Sequence, residues 1–387
     1  MTGIFKPEFG AGPARPIYIA SEIFRKSRYG GKHPLSIPRV SLATDLVRAL
    51  GWLPPAQYRD GPIATPAQLA RFHDPDYIDA LWRAETVGLS DADKDLFNIG
   101  RGGNPIYGEV YRRPATAAGS SILAAELVRD GGTVHSPAGG THHGRRDRAS
   151  GFCYLNDPVL AILTLMDAGV SRIAYVDLDA HHGDGVEDAF ADNPDILTIS
   201  VHEAGRWPHS GDCVGDTRTG IMNIPVPAGF NDDEFLFVLE AAVLPTVEAF
   251  SPEAIIVQCG VDGLADDPMS GLMLSNRVFP TAVSELTALS PRRIILGGGG
   301  YNPYALARAW AAIWGVLDGQ DMPDRLPEAA RSVLAEIEWR HSRAQNPPSR
   351  WFDTLLDPPS HGPIRDSVRD LVRIAGSKTF ESHAVRI

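Results

Sequence analysis

The chain has 387 residues, 43% of them hydrophobic and 22% charged, which is the make-up of a globular protein with room for one large α/β domain or two ordinary ones. Its net charge of −12 argues against nucleic-acid binding and gives a field that favours cationic substrates.

In chain order, Ile17 to Ala20 predicts a first strand, followed by a basic loop with glycines and prolines from Arg25 to Pro38. Pro38 starts a helical pattern of Val40, Leu42, Leu46, Val47 and Leu50 that stops near Gly51. Thr65-Pro-Ala-Gln signals another helix start, and Phe72-His-Asp-Pro-Asp-Tyr77 a turn before a further short helix. Residues 91–113 are polar and glycine-rich without a clear period, as expected of a surface loop, whereas Ala115 to Arg129 predicts a buried helix.

From there strands and helices alternate. Strands are expected at 133–135, 173–176, 196–201, 222–226, 254–258 and 293–296. Helices are expected at 158–166, 186–191, 232–250, 276–289 and 303–317. Strands apolar on both faces and separated by helices predict a single-domain α/β fold, a parallel sheet flanked by helices on both faces, over residues 1–317. The polar, proline-rich residues 318–387 are expected to be a C-terminal extension packed on the same domain, partly mobile from about Gly376.

Cys153, Cys213 and Cys259 are widely spaced, odd in number and without a Cys-x-x-Cys pair. They fit a reducing compartment. Met1 to Gly10 lacks a secretory apolar core and no apolar run approaches membrane-spanning length, so the expected address is cytoplasmic.

The chemistry concentrates in loops that follow strands, where parallel sheets gather their ligands. Tyr175-Val-Asp-Leu-Asp-Ala-His-His-Gly-Asp-Gly185 ends an apolar strand with Asp177, Asp179 and His181 two residues apart, a spacing that turns side chains to one side of an extended chain. Alone, two aspartates could be a solvated strand end. Three further loops follow strands: Pro137-Ala-Gly-Gly-Thr-His-His-Gly144, Gln258-Cys-Gly-Val-Asp262, and Gly297-Gly-Gly-Gly-Tyr301. Singly, the histidine pair could be structural, Asp262 a turn residue and Tyr301 core. Gathered at one sheet edge they make a metal hydrolase. Asp179, His181 and Asp262 would supply three ligands suited to Zn²⁺ or Fe²⁺ and leave one position open for water. His142 and His143 would move protons, Asp177 and Asp184 would orient them, and Tyr301 would donate to an oxyanion.

These motifs resemble the histone deacetylase superfamily with its arginase-like fold, and especially its bacterial histone-deacetylase-like and acetoin-utilisation members. The likeness runs from about Ile17 to Leu317. It includes Lys32-His-Pro-Leu, Phe72-His, Phe97-Asn-Ile-Gly, Gly151-Phe-Cys-Tyr-Leu-Asn156, Asp232-Asp-Glu-Phe and Tyr301-Asn-Pro-Tyr-Ala-Leu-Ala-Arg-Ala-Trp310. The resemblance implies a zinc-dependent deacetylase that cleaves acetyl-lysine to lysine and acetate, with an acetylated lysine of a protein, or a small acetylated amine, as partner. It implies zinc on Asp179, His181 and Asp262, proton transfer by His142 and His143 with His143 favoured as base, and an oxyanion donor in Tyr301. Tunnel walls fall on Gly151, Phe152 and Trp207 with Met269 near the rim, and an acetate-release channel on Arg39, Gly139 and Gly140. Structural potassium falls on Asp177, Asp179, His181, Ser200 and Val201, and a second potassium on Phe190, Asn193 and Ile196.

One departure stands out. The rim loop Arg101-Gly-Gly-Asn-Pro105 lacks the carboxylate by which eukaryotic members grip the substrate backbone. Two rival classes share part of the pattern. Asp-Ala-His-x-x-Asp echoes binuclear manganese ureohydrolases, which need ligands for a second metal. A non-catalytic acyl-lysine binder would not need every catalytic residue type.

Overall fold

Short strands that are apolar on both faces can be hidden only in a sheet covered by helices on each side. The computed structural model describes residues 12–27, 29, 33–214 and 220–384, and in it eight strands, all but the edge strand largely buried, build one wholly parallel sheet. They are β1 (Ile17–Ala20), β2 (Tyr58–Asp60), β3 (Gly132–Ser136), β4 (Ile173–Asp177), β5 (Ile196–Glu203), β6 (Ile221–Val226), β7 (Ala254–Gln258) and β8 (Arg292–Leu296). Their order is β2-β1-β3-β8-β7-β4-β5-β6. Every residue of β4, β5 and β7 is buried, as central parallel strands require.

Alternation along each strand splits the core in two. Ala174, Val176, Ile255, Val257 and Ile295 pack with Leu306, Trp310 and Trp314 of the helix Pro303–Leu317. Ile173, Tyr175, Ile256 and Ile294 turn the other way, onto Ala124 of the helix Arg112–Leu127 and onto Val159, Ile162 and Leu165 of the helix Asp157–Asp167. Register then sets where the loops emerge. Asp177 pairs with Ser200 on one side and Gln258 on the other, and Gln258 and Ser136 both pair with Leu296. Four adjacent strands, β3, β8, β7 and β4, therefore finish level and send their loops off the same edge, while β5 runs on to Glu203.

The expected fold class is the observed one, but several elements differ. Residues 91–113 are not a surface loop throughout. Ser90 caps a two-turn helix, Asp91–Phe97, by accepting the Asp93 N–H (3.1 Å), and Phe97, Ile99, Tyr107 and Val110 are buried. Two turns are too few for a 3.6-residue period to declare itself. The edge strand β2 was not expected, because only three half-polar residues form it. Helix Ile23–Lys26 and a 3₁₀ turn at Pro34–Ser36 interrupt the basic loop, in which Arg28, Gly30, Gly31 and Lys32 lie outside the described residues. The helix expected at 232–250 passes through a π turn, Leu239–Val243, just before Pro245.

Residues 318–384 carry the helices Glu328–Ala335, Arg350–Asp353 and Asp366–Ala384. The stretch from Gly376, expected as a mobile tail, continues the last of these, and residues 385–387 lie outside the described residues. Among the described residues no helix is long and apolar enough to cross a membrane, and all three cysteines are free.

Several ion pairs link the extension to the core, and one of them is buried. The guanidinium of Arg308, fully buried on Pro303–Leu317, bonds both oxygens of Asp357 (2.8 and 3.3 Å). Removing one member leaves a buried charge unmatched. Asp357→Ala should lower the free energy of unfolding by about 3–5 kcal/mol. Adding Arg308→Met should recover most of the loss, as urea denaturation of the single and double variants will show.

Candidate active site

The loops after β4, β7 and β8 meet first. Asp179, His181 and Asp262 each present one ligand atom, and these atoms lie within 4.8 Å of one another, all buried. His181 Nδ1 stands 3.1 Å from Asp179 Oδ1 and 3.0 Å from Asp262 Oδ2. Burial opposes charge on all three. Asp262 is pushed up from its ordinary range by burial and by Asp179, whereas His142 and His181 hold Asp179 well below its own, although burial opposes this. Burial lowers the His181 pKa, but Asp262 and Asp179 outweigh it and raise it to about 10. Two sealed carboxylates side by side call for a cation, and two oxygens with one imidazole nitrogen are donors that suit a borderline divalent ion.

The backbone is shaped to that cluster. Gly299 N–H donates to Asp179 Oδ2 (2.7 Å), and a Cβ on Gly299 would overlap Asp262 Oδ2. A Cβ on Gly260 would overlap Asp179. Glycine is needed at these two positions because the chain passes too close to the carboxylates for any side chain.

Asp177 does not join this cluster. The strand ends at Asp177, so the two-residue alternation that would have aligned it with Asp179 and His181 breaks there. Its Oδ2 instead faces His142 Nδ1 (2.7 Å) and accepts from Tyr175 Oη (2.7 Å). His143 Nδ1 lies 2.7 Å from Asp184 Oδ1, and Asp184 also pairs with Arg145. Each ring thus has its Nδ1 fixed by a carboxylate and its Nε2 left for other work. Burial opposes charge on His142, but Asp177 and Asp179 prevail and raise its pKa to about 9. For His143, burial and the neighbouring His142 lower it to about 3.

Tyr301 lines the same cavity as His142, His143, Asp179 and His181. Burial, with Asp262 adding to it, lifts its pKa well above the usual phenol value, so the hydroxyl keeps its proton and can donate. Gly151 and Phe152, both with positive φ, line the cavity too, Met269 packs in the same apolar cluster as Tyr301 and Phe152, and Trp207 borders the site at His143. Trp207 meets His143 edge-on at 4.6 Å, Phe152 meets Tyr301 at 6.3 Å, and a Cβ on Gly151 would overlap the Trp207 ring. Arg39 donates to the carbonyl oxygens of Gly298 (2.6 Å) and Gly300 (3.4 Å), and it lines the cavity with Gly139 and Gly140.

The residues expected to hold potassium are grouped as follows. Ser200 lies beside Asp177 in register, with Val201 next to it. Phe190 and Asn193 turn the chain towards Ile196 through Asn193 N–H to Phe190 O (2.9 Å) and Ile196 N–H to Asn193 O (3.1 Å).

Several residues that hold the site had no separate signal in the sequence. Asp267, fully enclosed, accepts the N–H groups of Tyr301 (2.6 Å), Asn302 (3.2 Å) and Met269 (2.9 Å). Gln258 donates to Asp179 Oδ2 (3.1 Å) and Gly140 O (3.3 Å). Asn156 donates to the carbonyls of His142 (3.3 Å) and Gly144 (2.9 Å), and its own N–H reaches His73 Nε2 (3.0 Å). A polar residue ending an apolar strand was the visible clue to Gln258.

A buried Asp-His-Asp cluster, carboxylate-backed histidines and a tyrosine at the edge of a parallel sheet define a metal-site hydrolase. The histone deacetylase domain matches residues 33–317, and the chain belongs to the histone deacetylase family. It is a deacetylase-type amide hydrolase of the kind that includes the acetoin utilization protein AcuC. Similarity to AcuC of Bacillus subtilis is 31% identity over 364 residues, 89% of this chain and 91% of that one. Histone deacetylase 8 of Xenopus tropicalis is 33% identical over 300 residues, 75% and 80% of the two chains. The crystal structure of an HDAC homologue from Aquifex aeolicus superposes with a TM-score of 0.88 at 37% identity, covering 93% of this chain and 99% of that one.

Gly299→Ala should displace Asp262 or break the hydrogen bond to Asp179. Metal affinity should fall about 10- to 100-fold, measured by competition with a chromogenic chelator, while the far-UV circular dichroism is kept. His73 supports a prediction about pH. Its Nε2 accepts the Asn156 N–H and its Nδ1 faces Arg145 O (3.0 Å), so the fold needs it neutral, and burial lowers its pKa from 6.5 to about 4. The unfolded chain takes that proton near pH 6.5. The contribution of His73 is therefore complete above about pH 6.5 and is lost as pH falls to about 4, a loss on the order of 3 kcal/mol. His73→Gln should flatten that part of the stability curve, read from denaturation at pH 7 and pH 4.5.

Proposed function

We propose that the chain is a Zn²⁺-dependent deacetylase that hydrolyses the amide of acetyl-lysine, in a protein or peptide, to lysine and acetate. One observation carries this reading: Asp179 and His181 of the Asp179–His181–Asp262 cluster line a single cavity with Tyr301, His142, His143 and Phe152. A Zn²⁺ held by those three residues supplies Lewis acidity towards the amide carbonyl and makes a water nucleophilic near neutral pH.

The protein's own groups account for the rest. Phe152 and Trp207, with Gly151 leaving the gap between them, flank the four-methylene stem of lysine, which is apolar apart from its ends. His143, oriented by Asp184 and kept neutral, takes the proton of the attacking water at Nε2 and returns one to the leaving amine. His142, held by Asp177 at Nδ1, turns Nε2 towards the same reacting group and shares in the proton transfer. Tyr301 donates its hydroxyl to the oxyanion. Asp177, Ser200, Val201 and neighbouring groups are assigned one structural K⁺, and Phe190, Asn193 and Ile196 a second. Three unpaired cysteines support a cytoplasmic address.

The rim loop supports a modest grip on the substrate backbone. Arg101 is taken up by Asp95 (2.7 Å) and Asp91 (3.3 Å), and the loop presents no carboxylate of its own. A small acetylated amine is accordingly the substrate to compare with peptides.

Tyr301→Phe should keep one metal ion per chain by elemental analysis. It should lose about 10²- to 10³-fold in kcat on an acetyl-lysine peptide, the usual cost of removing one oxyanion donor. Turnover near wild type would sink the oxyanion role, and two manganese ions per chain with urea released from a guanidino compound would replace the reading altogether.

A further inference from the structure

Behind the metal ligands, the cavity of about 60 Å³ that contains Asp179, His181 and Tyr301 is also lined by two guanidiniums, Arg39 and Arg113. Arg113 comes from the helix Arg112–Leu127 and is only 7% exposed. It lies over the rings of Tyr29 (4.6 Å) and Phe24 (5.6 Å), and Arg39 lies over Trp310 (5.7 Å). The Nε of each is sealed from solvent and has no hydrogen-bond partner. Among the described residues no carboxylate comes within ion-pair distance of either guanidinium. Asp157, bound to the backbone of the lining residues Gly140 and Thr141, is taken up by Ser121 Oγ (2.6 Å), Gly140 N–H (3.0 Å) and Thr141 N–H (2.8 Å).

Arg113 is a buried cation without a counter-charge, and Arg39, half-buried, bonds two carbonyl oxygens but no carboxylate, a costly arrangement unless something anionic completes it. Aromatic faces offset part of that cost. They do not satisfy an N–H, and guanidinium forks match carboxylates in geometry as well as charge. By the measure in which one water needs roughly 10–15 Å³, the whole cavity, from Phe152 and His143 to the two guanidiniums, has room for about four to six water-sized groups, the scale of a short acyl group.

We propose that this chamber receives a carboxylate carried by the acyl group itself, so that the substrates include lysine amides of short dicarboxylic acids. The inference rests on the hydrolase reading above and names the acyl class it serves. The reaction at the amide is unchanged. Water adds to the carbonyl, the C–N bond breaks, the amine leaves protonated, and the acyl half departs as a dicarboxylate in place of acetate.

The test uses the metal-loaded full chain and three peptides that differ only in the acyl group on one lysine: acetyl, malonyl and succinyl. Malonyl or succinyl should be cleaved with a kcat/KM at least equal to that of acetyl. The ratio of acidic to acetyl kcat/KM should fall about 10- to 100-fold in Arg113→Met, the loss of one charge-assisted hydrogen bond. Arg113→Gln, which keeps a polar side chain over Tyr29, should show the same fall should the methionine disturb packing. Acetyl turnover with neither acidic acyl cleaved overturns the inference and leaves the deacetylase reading standing. An unchanged ratio in both variants also overturns it. No turnover of any peptide overturns both.

Discussion

Two aspartates held side by side out of water set the terms for this protein. Asp179 and Asp262 repel each other in a medium that screens poorly, and His181 alone cannot match both charges. Everything around them is arranged to make that placement bearable: the Gly299 N–H, the Gln258 amide, the Ala180 N–H given to Asp262 (2.9 Å), and a site fit for a divalent ion. The same requirement explains the glycines. Backbone amides can solvate a buried carboxylate only by coming within hydrogen-bond reach, and a Cβ at Gly299 or Gly260 would stand in the way.

The sheet makes the convergence possible. Asp179 and Asp262 are 83 positions apart in sequence but follow adjacent strands, β4 and β7, whose last residues are paired. β8 then brings Tyr301 and β3 brings the histidine pair. A parallel sheet lets each strand deliver one loop to a common edge while helices on both faces keep the strands rigid, so positions hold without any loop being stiff by itself.

Much of this was legible in the residues. Alternating apolar runs and helix starts gave the parallel sheet, and Asp179, His181, Asp262, the histidine pair and Tyr301 stood at strand ends, where function gathers. What stayed hidden has a common cause. Asp267, Asn156 and His73 act by bonding backbone N–H or C=O groups far away in sequence, and such bonds leave no pattern in side-chain order. Arg113 falls in the stretch expected as a surface loop, yet it lies in the first turn of the buried helix Arg112–Leu127, and only its neighbours in space reveal a charge without a carboxylate partner. The helix Asp91–Phe97 escaped notice because seven residues cannot establish a periodicity. Asp177 illustrates the opposite error, since a spacing rule was carried two residues past the end of the strand that justified it.

The Asp267 carboxylate fastens two things with one group: the start of the Tyr301 turn and the Met269 stretch near the tunnel mouth. Tyr301 and Met269 are therefore mechanically yoked. A substitution that shifts Met269 pulls on the backbone from which the Tyr301 side chain projects. Trp207 and residues 101–105 share in this coupling, since Arg206 donates to Met269 O (2.8 Å), Trp207 meets the His143 ring and Asn104 accepts the Phe152 N–H (2.9 Å), so room for a bulkier partner has to come from changes made together.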